Sequence, residues 1–154
     1  GQYDTEKEVG FITGCAMLFR RRALEECGLF REDVFAYFED AELCRRMRRR
    51  GFGLVYCPGA VIGHRVGGGA ARKSYTSLYL YYQTRNRFLT FVSGAPFPYR
   101  VYSFALCLCI YVLLRMALVF ISGENGRESA AAVWGGFIDY LRGASGRNEK
   151  YSSA

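Results

Sequence analysis

No two cysteines of this chain form a C-x-x-C pair, and the nearest two, Cys107 and Cys109, lie inside an apolar run. That spacing argues against a zinc site. The six cysteines, scattered among apolar residues, read as buried thiols of a reducing compartment. Histidine is almost absent: His64 stands alone, so a metal held there needs acidic partners from elsewhere. Acidic residues are in the minority, 14 against 21 basic ones, and the surplus is mostly arginine. A net charge of +7 favours an anionic partner: nucleic acid, a membrane surface or a phosphorylated substrate. Nucleic acid is set aside, because the aromatics are not interleaved with the basic residues as a stacking platform requires. No signal peptide opens the chain and no segment repeats another. It opens on Gly1 with a polar stretch, and the expectation is that it begins inside a longer gene product.

What is present excludes disorder: 51% of residues are hydrophobic and 23% charged. At 154 residues there is enough chain for one domain with its own core, or for part of a larger one. Residues 9–19 are apolar and rich in strand formers, with Gly14 in the middle, where a bulge or a close approach is expected. Residues 22–27 form a short helical stretch stopped by Gly28. An aromatic run, Phe35, Tyr37 and Phe38, then leads into Glu39 and Asp40. These two open a helix over 40–50, with Ala41, Cys44, Met47 and Arg48 on one face and Gly51 at its end. A strand over 52–57 ends at Pro58-Gly59, and a short apolar segment over 60–65 carries His64. A flexible loop, Gly67 to Gly69, follows. This alternation suits an α/β layer domain.

From residue 74 the pattern becomes helical. One long helix is expected over 74–92, and residues 102–121 carry a single charge, Arg115. With no polar face, the run 102–121 is either a buried core helix or membrane-inserted, spanning or in-plane. Arg100, Arg127 and Arg142 around it favour an anionic, cytoplasmic leaflet. A last amphipathic helix carries Ala130, Val133, Trp134, Phe137, Ile138 and Leu141, and 144–154 reads as a solvated tail.

Glu39 and Asp40 admit two readings. Acids at a helix N-terminus complement the helix dipole; a carboxylate there can also act as a general base toward a hydroxyl held within reach. His64 is either a satisfied structural residue or a metal ligand. The arginine run Arg45 to Arg50 is either a solvated face or a phosphate or lipid contact.

The stretch from Gly14 to Gly68 resembles the C-terminal half of the catalytic domain of family 2 glycosyltransferases, closest to bacterial rhamnosyltransferase-like enzymes. The pattern G-x-x-M-x-x-R-R falls on Gly14, Met17, Arg20 and Arg21, and G-x-F on Gly28 and Phe30. An aromatic followed by E-D and x-L-x-x-R falls on Phe38, Glu39, Asp40, Leu43 and Arg46. The closing glycine, P-x-A and histidine are Gly51, Pro58, Ala60 and His64, and Tyr82, Arg85, Asn86 and Gly136 to Gly143 also fit. The resemblance implies a GT-A fold and inverting transfer of a sugar from a nucleotide-sugar donor to a polysaccharide or lipid-linked glycan. It implies Asp40, with Glu39 beside it, as the base, and His64 on a divalent metal, Mn or Mg. It places Gly14, Phe38 and Arg46 on the acceptor side and adds Arg85 and Asn86 to the site.

The D-x-D motif of that family occurs nowhere in these residues, so the chain is expected to be an acceptor-side fragment, inactive by itself. The expected division is an acceptor-side half over 1–95, a membrane-associating helical region over 96–143 and a flexible tail over 144–154. The expected location is the cytoplasmic face of a bacterial cell membrane. A different class of reading is a non-catalytic, membrane-anchored module that binds an anionic partner through its arginines. The upstream coding sequence would separate the two.

Overall fold

A computed structural model describes residues 3–64, 76–122 and 125–152. The chain packs as two compact units. One comprises Gly1–Arg31 and Glu39–Ala71, the other Glu32–Phe38 and Arg72–Ala154.

In the first unit, β1 (Lys7–Glu8) pairs antiparallel with β2 (Val55–Tyr56), Lys7 opposite Tyr56 and Glu8 opposite Val55. Helix α1 (Arg21–Cys27) stops at Gly28, whose φ of 80° lets its N–H turn back to the Leu24 carbonyl at 2.7 Å. Helix α2 (Glu39–Arg49) places Glu39, Asp40 and Glu42 in its first turn and Arg46, Arg48 and Arg49 in its last. Both charge sets complement the helix dipole. Its buried stripe is Leu43, Cys44 and Met47, which meets Ala23, Cys27 and Leu54 in the core. Arg48, expected on that face, is exposed, so the stripe is rotated by about one residue.

Two strand expectations contract. Residues 9–19 form no strand: Val9, Ile12, Met17 and Phe19 still pack on the core, but irregularly. Their backbone is tied to α2 instead: Gly14 N–H donates to Asp40, and the Ile12 carbonyl accepts from the Cys44 thiol. Of the strand over 52–57, only β2 pairs. A ladder this short leaves the described residues mainly helical, with helices packed beside one two-stranded ladder.

In the second unit, α3 (Ser77–Arg87) starts at Thr76, whose Oγ1 accepts the Tyr79 N–H at 3.2 Å. It runs on through a widened π turn, Phe88–Val92. Then α4 (Tyr99–Cys107), π turns over Leu108–Leu114 and α5 (Arg115–Ser122) form one continuous helix. Helix α6 (Gly126–Leu141) and the short α7 (Glu149–Ser152) follow. Leu80, Tyr81, Tyr82, Phe88, Val112, Val133 and Phe137 form the core.

Helix α6 is rolled relative to its apolar pattern. Ala132 and Gly136 are buried, while Trp134 and Leu141 are exposed. The small residues are needed there: a Cβ on Gly136 would lie 2.5 Å from the Tyr81 carbonyl oxygen.

The tail is not free. Gly146 N–H reaches the Asp33 carbonyl at 2.6 Å, Asn148 bonds the hydroxyls of Tyr81 and Tyr82, and Tyr151 stacks on Tyr81 at 4.2 Å. Docking on buried tyrosines outweighs the polar composition that suggested a solvated segment. The boundary expected near residue 95 also moves: α3 packs with the helices after it, because Tyr81, Tyr82 and Phe88 belong to their core. Cysteine is mixed: Cys27, Cys44 and Cys107 are buried, but Cys15, Cys57 and Cys109 are exposed, all as free thiols. Gly67 to Gly69 lie outside the described residues.

Candidate active site and aromatic loop

Asp40 sits in the first turn of α2, half-buried, with both carboxylate oxygens oriented. Oδ2 accepts the Gly14 N–H at 2.8 Å and Oδ1 the Ala41 N–H at 2.7 Å. A Cβ on residue 14 would stand 3.4 Å from Asp40 Cβ and Oδ2, so glycine leaves this approach open. Its neighbour Glu39 is placed differently. Glu39 Oε2 is buried with no hydrogen-bond partner. Burial first, and then the charge of Asp40, raise the Glu39 pKa above the usual carboxylate range, against the pull of its own backbone N–H. The two adjacent acids therefore differ in placement: Glu39 Oε2 is buried without a partner, and Asp40 presents an oriented carboxylate.

Arg46 is committed within the protein. Its guanidinium donates to Glu42 Oε2 at 2.9 Å, to the Leu29 carbonyl at 2.8 Å and to the Cys27 carbonyl. It closes the C-terminus of α1 and pairs with a Glu42 that is only 4% exposed, with Arg31 Nη1 3.9 Å from the other carboxylate oxygen. These contacts bracket α1 and α2, and they engage the guanidinium that the resemblance expects on the acceptor side. The motif's Arg at this spacing is fixed by Glu42, four residues earlier, a partner that only the helix geometry pairs with it.

His64 is exposed. Among the described residues no three His, Cys, Asp or Glu side chains come together as a metal site, so the residues described do not by themselves fit the expected divalent ion.

In the second unit, residues 32–38 form a loop with an unusual backbone. Phe35, Tyr37 and Phe38 have φ of 61°, 61° and 72°, in the left-handed region that non-glycine residues avoid. Three such residues cost about 1–3 kcal/mol each, so the surroundings must hold them. Asn86, fully buried on α3, supplies the hold. Its Nδ2 donates to the carbonyls of Val34 (2.6 Å), Ala36 (2.6 Å) and Tyr37 (3.0 Å). Arg85 Nε donates to Asn86 Oδ1 at 3.0 Å, which fixes the amide orientation, and Arg85 Nη2 reaches the Asp33 and Val34 carbonyls at 3.4 Å. The Arg85 guanidinium lies 4.9 Å from the Tyr82 ring centroid. Arg85 and Asn86, expected in the site from the resemblance alone, thus fix the loop that precedes Glu39 in the chain.

The loop's rings then pack edge-on: Tyr37 with Tyr79 at 5.2 Å and Phe38 with Phe91 at 5.6 Å. Phe38, expected on the acceptor side, also faces Arg87, whose guanidinium carbon is 4.7 Å from its ring centroid and 3.6 Å from that of Tyr111. Arg87 carries no motif signal, and only packing brings it to these rings. Tyr81 is tied to Asp139 Oδ2 at 2.7 Å; burial and that bond push its pKa up to about 12, so it is a structural donor rather than an acid–base group.

Residues 2–88, more than half of the chain, match the family described as Glycosyltransferase like family 2. The chain belongs to that family. Among curated proteins, this family member is similar to the N-acetylglucosaminyl-diphospho-decaprenol L-rhamnosyltransferase of Mycobacterium tuberculosis, in strains CDC 1551 and H37Rv. Both are 38% identical over 60 residues, which is 39% of this chain and 20% of the relative. The matched region thus spans about a fifth of the curated relatives' length. No solved structure matches the chain.

Proposed function

We propose that this family 2 chain carries the acceptor side of an inverting glycosyltransferase, and that Asp40 is its general base. The observation that carries the reading is the Asp40 carboxylate, oriented by the Gly14 and Ala41 N–H groups at the mouth of α2. In the reaction, an acceptor hydroxyl gives its proton to Asp40. Its oxygen forms a bond to the anomeric carbon of the donor sugar, and the bond from that carbon to the nucleotide diphosphate oxygen breaks. The leaving diphosphate takes the electron pair, and the configuration inverts without a covalent enzyme intermediate. Glu39 differs in placement: its Oε2 is buried without a hydrogen-bond partner, whereas both Asp40 oxygens are oriented by backbone N–H groups.

The acceptor class follows from two supports. The similar mycobacterial protein is named for a diphospho-decaprenol, a lipid-linked diphosphate. The helix running Tyr99–Ile121 is long and apolar enough to cross a membrane and mostly exposed. Its outer residues Leu106, Ile110, Leu113, Leu114, Leu118 and Ile121 are apolar and open, which suits lipid better than water. The reading is therefore transfer to a lipid-linked glycan at the cytoplasmic face of a bacterial membrane.

The test is Asp40→Asn in the natural-length protein, with folding checked by circular dichroism. Loss of sugar transfer by about 10²-fold or more is expected for a missing base. Transfer at the parental rate by a folded variant would remove Asp40 from the mechanism.

A further inference from the structure

Arg87 is a half-buried cation held mostly by rings. Its guanidinium lies on Tyr111 and against Phe38, and Nη2 donates to Gln83 Oε1 at 3.2 Å. Nε is buried without a hydrogen-bond partner, and no carboxylate pairs with the group among the described residues. A second guanidinium, Arg115, stands near enough to disfavour the charge further, with its carbon 5.5 Å from the Tyr79 ring. Burial is the largest influence and is unfavourable to the cation. Tyr111, Cys107 and Tyr79 offset part of it, Arg115 adds a like charge, and no described carboxylate completes the pairing, so the site is improved by an anion. Arginine presents a planar fork that matches phosphate oxygens. The position adds the second half of the ligand: Tyr111 and Arg115 belong to the same helix as the exposed Leu114 and Leu118, which follow them by about one turn.

We propose that Arg87, flanked by Arg115 and the rings of Tyr111, Phe38 and Tyr79, binds the diphosphate of a prenyl-linked acceptor whose chain lies along the apolar face of Tyr99–Ile121. The inference rests on the lipid-linked acceptor proposed above, and assigns the residue that reads its phosphates. Arg87 is a binding residue: it takes no proton and transfers no group.

The experiment uses the 154-residue chain in neutral detergent micelles with farnesyl diphosphate as probe. Farnesol serves as the uncharged control and inorganic diphosphate as the competitor. Farnesyl diphosphate should bind about tenfold or more tightly than farnesol, and Arg87→Gln should remove that advantage. Arg87→Lys should restore part of it, and Arg142→Gln should change nothing. Equal binding of the diphosphate and the alcohol by the parent chain overturns the proposal, whatever the variants do. So does an unchanged affinity in a folded Arg87→Gln chain. If that variant does not fold, Arg115→Gln and competition by inorganic diphosphate carry the same decision: no loss and no competition sink it. Vesicles of phosphatidylcholine with phosphatidylglycerol separate the other phosphate source. Displacement of farnesyl diphosphate by these vesicles, but not by pure phosphatidylcholine, would make this a phospholipid headgroup site and overturn the acceptor assignment. A failure here leaves the Asp40→Asn result standing, and a failure of Asp40 as base leaves prenyl diphosphate binding untouched.

Discussion

Replacing Asn86 with alanine should release the aromatic loop. The side chain is fully buried, and its amide meets the carbonyls of Val34, Ala36 and Tyr37, all within 3.0 Å. Two N–H bonds shared over three acceptors, at about 1 kcal/mol each, give a loss of about 2–3 kcal/mol once a stranded buried carbonyl is included. Relaxation of the positive φ values of Phe35, Tyr37 and Phe38 favours opening of the loop and offsets part of that loss, against the remaining Arg85 bonds and ring packing. In a chain of this size a loss of that order lowers the melting midpoint by about 4–10 °C. Urea unfolding gives the free energy, and hydrogen exchange over 33–38 gives its location. Asn86→Asp separates donation from volume, because it fills the same space but turns a carboxylate toward three carbonyls. It should be at least as destabilising as alanine. If both variants stay within about 0.5 kcal/mol of the parent and the loop amides remain protected, Asn86 does not hold the loop.

Other changes read different parts of the structure. Gly136→Ala forces a Cβ to within 2.5 Å of the Tyr81 backbone oxygen and should cost about 1–3 kcal/mol, whereas Gly135→Ala meets only the end of the Tyr151 side chain and should cost less; equal thermal midpoints would contradict the close α3–α6 packing. Glu39 has a raised pKa when folded, so its protonated form favours the folded state. That contribution is complete below the unfolded carboxylate range and is lost as pH rises through the folded value. Glu39→Gln should therefore flatten the decline in stability between acid and neutral pH, and a slope identical to the parent's would discard the shift. His64→Ala should weaken the dependence of transfer on added Mn2+ or Mg2+ if the family's histidine role holds here; a superimposable metal titration in the natural-length protein would end that reading.

Local chemistry fixed much of this protein before any folding. Gly28 and Gly51 end helices because only glycine takes their positive φ without penalty, and that was legible from their place after two helical stretches. The Phe38-Glu39-Asp40 motif pointed to carboxylates at a helix mouth and Gly14 to a bulge or a close approach, and the Gly14–Asp40 bond at 2.8 Å, which joins the two, came only with the fold. Helical periodicity placed α2, α3 and α6 within a few residues, since each pattern spans several turns. Partnership was not legible. Arg46 could have met an acceptor or a neighbour, and only the approach of α1 to α2 decided for Glu42 and the Cys27 and Leu29 carbonyls. The left-handed backbone at Phe35, Tyr37 and Phe38 runs against local preference, so no rule applied to those residues could find it. It exists because Asn86, about fifty residues later, donates to the carbonyls of Val34, Ala36 and Tyr37 in the same loop. The tail shows the same division: its polar composition favours solvent, and buried Tyr81 and Tyr82 offered Asn148 and Tyr151 a better partner.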